Sequence, residues 1–164
     1  MAYEAGRVSA NTPPTAEQRI IESMEQRIRQ YSRLPKEEID RQIEVLDREW
    51  DIERVLELNA SIFGLLGLIM NRKRNRSGRR SAGGWLAVSA GVLGFLGQHA
   101  AQGWCPPLPI FRRLGIRTRR EIELERYALK ALRGDFGTFA GQGVGGSESD
   151  PDARAEAVLQ AMRA

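Results

Sequence analysis

One cysteine and one histidine occur in 164 residues. A lone cysteine cannot form a disulfide within one copy, and Cys105 with His99 cannot complete a tetrahedral metal set unless a second copy supplies the rest. No paired carboxylates, nucleophile–base constellation, phosphate-binding glycine loop or ligand cluster appears, so the chain reads as a non-enzyme with no cofactor and no metal. The first twenty residues hold no apolar stretch of the kind a secretory signal needs, and the expectation is an N-terminus on the cytoplasmic side. Aromatics are also scarce, at 7%. None falls in the basic segment 71–81, and single-stranded nucleic acid is held by bases stacked on aromatic rings. That disfavours nucleic acid as a partner.

What is present is segregated. Hydrophobic residues make up 41% of the chain and charged residues 28%, but the apolar ones gather in two blocks, about 56–70 and 85–108. The second block, WLAVSAGVLGFLGQHAAQGWCPPL, has no Asp, Glu, Lys or Arg and carries Trp85 and Trp104 near its ends. A helix between the two tryptophans would be about 28 Å long, near the ~30 Å of a bilayer's hydrocarbon core. Tryptophans at both ends suit the two membrane interfaces. The expectation is a two-helix membrane hairpin over 55–108, with a basic turn at 71–81 formed by Arg72, Lys73, Arg74, Arg76, Arg79 and Arg80. The turn would lie among lipid headgroups. Arginines on the flanks, Arg41, Arg48, Arg54, Arg112, Arg113, Arg117, Arg119 and Arg120, slightly outnumber the basic residues of the turn and favour cytoplasmic termini in a bacterial inner membrane. The first block is short, and a shallow hairpin that never crosses stays open.

The rest is amphipathic helix. Residues 1–14 read as a disordered leader. Over 15–54, Thr15 and Gln18 suggest a capping box, followed by the stripe Ile20, Met24, Ile28 and Tyr31. After a break at Ser32–Pro35, Ile39, Ile43, Leu46 and Trp50 form a second stripe, and one long helix is expected from Pro35 to Met70. In 109–134, Thr118 and Glu121 form a capping box for a helix that Gly134 ends. A Gly/Ser-rich linker covers 135–149, and a short helix bearing Val158, Leu159 and Met162 covers 150–164. The fold class is all-α with disordered ends.

Small residues at helical spacing mark where helices approach closely: Ala60 and Gly64 in the first block, then Gly83, Ala87 and Gly91, and Ala90 and Gly94. They serve either the hairpin itself or a homo-oligomer seam. Gln98, His99 and Gln102 are polar groups in the apolar run, where burial is costly and often functional.

The stretch GFLGQHAAQGWCPPLPIFRRLGI resembles the closing half of the YgaP-like family of two-helix bacterial inner-membrane domains, through Gly103, Cys105, Pro106 and Leu114-Gly115. The resemblance spans about residues 50–120 and implies a self-associating membrane hairpin of largely uncharacterised role, in a family sometimes joined to a sulfurtransferase module. No such module occurs here. The long charged N-terminal helices and the strongly basic turn depart from the family pattern. The expected function is a small inner-membrane protein that self-associates and presents its cytoplasmic helices to an unidentified protein. Alternatives are a membrane sulfur or redox relay through Cys105, and a soluble basic helical nucleic-acid binder.

Overall fold

A computed structural model describes residues 6–76, 83–136 and 150–163, and every regular element among them is helical. They are α1 (Arg7–Ala10), α2 (Pro14–Tyr31), α3 (Lys36–Arg48), α4 (Ile52–Arg76), α5 (Gly83–Gln102), α6 (Leu108–Arg113), α7 (Arg119–Arg133) and α8 (Pro151–Arg163). The all-α class is as expected. The tip segment 77–82 and most of the Gly/Ser-rich linker lie outside the described residues.

The molecule divides into a charged helical head and a projecting hairpin. In the head, Met24 and Ile28 of α2 meet Ile39, Ile43 and Leu46 of α3, Ile122, Leu129 and Leu132 of α7, and Val158 and Leu159 of α8. Each helix contributes one apolar stripe at spacings of three and four, and four such stripes close one core. The head helix α7 forms where the sequence put it. Thr118 Oγ1 accepts from the Glu121 amide, the Glu121 side chain accepts from the Thr118 amide, and Gly134 ends the helix with φ 98°. The last helix, α8, is docked by burial of Ala155, Val158 and Leu159 and by Arg33–Asp152 at 2.7 Å.

Three local expectations change. At the start of α2 the N-cap is Pro13, without a side-chain cap, and Gln18 instead bonds Glu22 at 2.8 Å, so Thr15 and Gln18 form no capping box. In the leader, residues 7–10 form a helical turn and Thr12 is buried. The long helix from Pro35 to Met70 is broken at Glu49–Asp51. Glu49 is extended (ψ 138°), the Ile52 amide donates to the Arg117 carbonyl at 2.9 Å, and Asp51 Oδ1 accepts from the Arg54 amide. Trp50 consequently leaves the α3 stripe and lies on the surface under the Arg54 guanidinium, 4.8 Å from the ring centroid.

The transmembrane expectation is overturned. Among the described residues no helix is long and apolar enough to cross a membrane. The first apolar helix, α4, begins with Glu53, Arg54, Glu57 and Asn59 and ends in Arg72, Lys73, Arg74 and Arg76. The second, α5, spends much of its length on glycine and closes with Gln98, His99 and Gln102. Polar ends and side-chain-free positions take from both helices the apolar length a bilayer core requires. The inner-membrane location and orientation inferred from the two blocks fall with it.

Candidate self-association surface

The hairpin closes at one crossing. A Cβ built at Gly67 would lie 2.3 Å from Ser89 Oγ and 2.8 Å from the Trp85 carbonyl oxygen, so only glycine fits there. Ser89 Oγ donates to the Gly64 carbonyl at 2.9 Å, joining α4 to α5 through a buried hydroxyl. Neither Gly67 nor Ser89 stood out in the sequence, although Gly67 follows Gly64 by three and completes a small-residue face on α4.

The small residues that did stand out are placed differently. Cβ atoms at Gly64, Gly83, Gly91 or Gly94 would meet nothing within 4 Å. Ala87 and Ala90 are exposed, and Ala60 is half-buried. Apart from the Gly64 carbonyl on α4, the expected small-residue stripes do not hold the hairpin together. The side of α5 turned towards α4 carries Trp85, Ser89, Val92, Leu96 and His99, each wholly or partly shielded.

Both helices present large apolar side chains outward. On α4 these include Ile62 (52% exposed), Phe63 (51%), Leu65 (60%) and Leu68 (50%), and on α5 Leu86 (50%), Leu93 (62%) and Phe95 (47%). Apolar side chains exposed in such number are more than the scattered few of an ordinary surface.

The foot of the hairpin joins the head through a second small core. Ile52, Leu56, Cys105 and Leu108 are buried there, with Val8, Phe111 and Ile116 against them. Gly103 turns the chain out of α5 with φ 72°, its amide donating to the His99 carbonyl at 2.7 Å. Cys105 is 3% exposed, and burial pushes its thiol up, opposed by a weaker hydrogen bond from the Leu108 amide. A sulfur relay needs an accessible, readily ionised thiol; this one is neither. Beside it lies an apolar cavity of about 190 Å³ lined by Leu56, Phe63, Val92, Phe95, His99 and Cys105 among others. His99 Nδ1 is buried there without a hydrogen-bond partner. Gln98 and Gln102 bond each other at 3.5 Å, and the Gln102 carbonyl accepts from Asn11. Trp85 is half-buried and Trp104 exposed. Among the described residues no group of three or more His, Cys, Asp or Glu is arranged to hold a metal ion.

Two arginines read from the sequence as surface charge are instead interior. The Arg112 side chain is 0% exposed and grips Glu121 with two bonds of 2.6 and 2.7 Å, while its Nε donates to Thr12 Oγ1 at 3.0 Å. Arg117 bonds Glu49 and Glu125, and Glu125 also receives Arg27 through two bonds of 2.8 Å. Glu121 and Glu125 are one turn apart on α7, so this helix carries both acceptors that fasten α6 and the α6–α7 connection to the head. Sequence reasoning missed the network because an arginine's burial depends on a carboxylate supplied from elsewhere in the fold.

The basic turn is described only in part. Arg72, Lys73 and Arg74 close α4, with Arg72 exposed, and Arg79 and Arg80 lie outside the described residues. No protein-family model matches the chain, and no curated protein or solved structure matches it.

Proposed function

We propose that this protein is a non-enzymatic assembly protein: the α4–α5 hairpin joins copies of the chain, and the charged head is presented outward to other partners. The supporting observation is the run of exposed leucine, isoleucine and phenylalanine side chains along both hairpin helices, set against a head that buries its own apolar stripes. An apolar projection on a chain that otherwise segregates charge outward is stable when another apolar surface covers it. The extensive polar surface of the head, laced with exposed ion pairs, keeps such an assembly from growing through that end.

The test uses Leu65→Glu combined with Leu93→Glu in the full chain. Both side chains are mostly solvent-exposed in a single copy, so the fold of one copy does not need them. Sedimentation velocity is expected to show an oligomer for the native chain and a monomer of unchanged helicity for the double variant. A native chain that is already monomeric, or a double variant that associates as before, would overturn the reading.

A further inference from the structure

We infer that the head carries a binding site for a phosphomonoester, in the arginine-lined cleft between α2 and the end of α6. It stands whether or not the hairpin associates.

Two stretches of chain build the cleft. On α2, Ala16, Arg19, Ile20, Ser23 and Arg27 line it, at the spacings of one helical face. The other wall is the end of α6 and the turn after it. Gly115 takes φ 83° there, and Arg113 before the turn and Arg117 after it line the same cleft. The cleft measures about 420 Å³, within the ~300–1,000 Å³ of small-molecule sites.

Its charge is one-sided. Arg19, Arg27, Arg112, Arg113 and Arg117 line it, and Glu49 is the one carboxylate among the lining residues. Arg112 holds Glu121, Arg117 holds Glu49 and Glu125, and Arg27 holds Glu125. Three guanidiniums thus meet three carboxylates and cancel. Arg19 and Arg113 remain, both exposed and neither in an ion pair among the described residues. Glu22, one turn along from Arg19, is exposed and accepts from Gln18 instead, at 2.8 Å. The cleft therefore keeps the positive charges of Arg19 and Arg113.

Hydrogen bonding is one-sided too. Arg27 spends Nε and Nη2 on Glu125, and its Nη1 has no partner among the described residues. Gln42, which also lines the cleft, accepts from Tyr31 Oη at 2.9 Å through Oε1, so its amide donors are left over. Glu49 is occupied at both oxygens by Arg117. What the cleft offers a ligand is donors. The buried ion pairs fix its inner wall beforehand, so binding has little to order beyond Arg19 and Arg113.

The ligand follows from those donors. They come from α2, α3 and α6, and so approach from different directions. A carboxylate presents its lone pairs in one plane, which edge-on guanidiniums fill. A phosphomonoester has three terminal oxygens set tetrahedrally and roughly two negative charges at neutral pH. It matches both the charge left over and the spread of donors. The buried Ala16 and Ile20 and the exposed Leu114 give its organic group an apolar side.

The probe is phenyl phosphate, titrated into the full chain by isothermal calorimetry at moderate salt. The native chain is expected to bind it. Arg19→Gln with Arg113→Gln removes two charge-assisted contacts made by exposed side chains. This variant should bind at least about tenfold more weakly, with unchanged helicity by circular dichroism. Arg48→Gln with Arg72→Gln makes the same change in net charge at exposed positions outside the cleft. Its affinity should stay within about twofold of native. Succinate, doubly charged but with planar ends, should bind at least about tenfold more weakly than phenyl phosphate. Phosphatidylcholine vesicles carrying phosphatidic acid separate the two sources of such an ester. Displacement of phenyl phosphate by them assigns a lipid headgroup, and no displacement assigns a dissolved molecule. No binding of phenyl phosphate, an equal affinity in the two double variants, or succinate bound as tightly overturns the inference.

Discussion

At the scale of single residues, the account turns on side chains whose surroundings decide their chemistry. The Cys105 thiol is held above its ordinary value of about 8.5 by burial in the foot core. A group whose pKa is raised on folding contributes stability that is fully present below the unfolded value and is lost as pH rises through the folded one. Stability should therefore fall above about pH 8.5, and Cys105→Ala should remove that part of the decline, as read by urea midpoints from pH 7 to 10. Native Cys105 should also react with a thiol reagent far more slowly than it does in urea. Equal rates would mean that the foot is open. Arg112 offers a larger effect. With Glu121 left as an uncompensated buried carboxylate, Arg112→Ala is expected to cost about 3–5 kcal/mol in chemical denaturation. A loss below about 1 kcal/mol would show that the pair is hydrated. These residues also show where the sequence stopped being informative. Thr118, Glu121 and Gly134 were legible because a cap is a local arrangement of neighbours. Arg112 and Arg117 were not, because their partners Thr12, Glu49 and Glu125 come from distant parts of the chain.

At the scale of elements, the hairpin sets two kinds of glycine against each other. Gly67→Ala must push against Ser89 and the Trp85 backbone and should cost about 1–3 kcal/mol. Gly64→Ala, three residues earlier with open space at its Cβ, should gain about 0.5–1 kcal/mol from helix propensity. Thermal melts of the two variants against the native chain read the opposite signs; matching signs would place the crossing elsewhere. The amphipathic stripes of α2 and α3 were legible from spacing alone, since one buried face per helix fixes a period near 3.6. Trp50 was misplaced because continuing the α3 stripe ignored the break at Glu49–Asp51. That break is fastened by the backbone bond from Ile52 to Arg117, which no local pattern announces. The small residues singled out from spacing were not those of the crossing, which uses Gly67 and Ser89. Which small residue meets the other helix depends on how α4 and α5 are rotated about their axes, and composition says nothing of that.

At the scale of the whole molecule, the same two apolar blocks supported a membrane reading from sequence and support an assembly reading from structure. Charge-free length and terminal tryptophans are shared by membrane helices and by helices that other protein surfaces cover. The structure adds polar ends on both helices, and it adds a foot built of interlocked buried charges and a small apolar core that fixes the hairpin to the head. A projection anchored in this way can transmit the position of one copy to the head of the next. Association through it should be governed by burial of apolar surface.

The most direct test is sedimentation equilibrium of the unmodified full chain over a hundredfold range of concentration at moderate salt. The account predicts a reversible shift from one chain mass to a higher one as concentration rises. A single-chain mass at every concentration, with the hairpin leucines still in place, would contradict it.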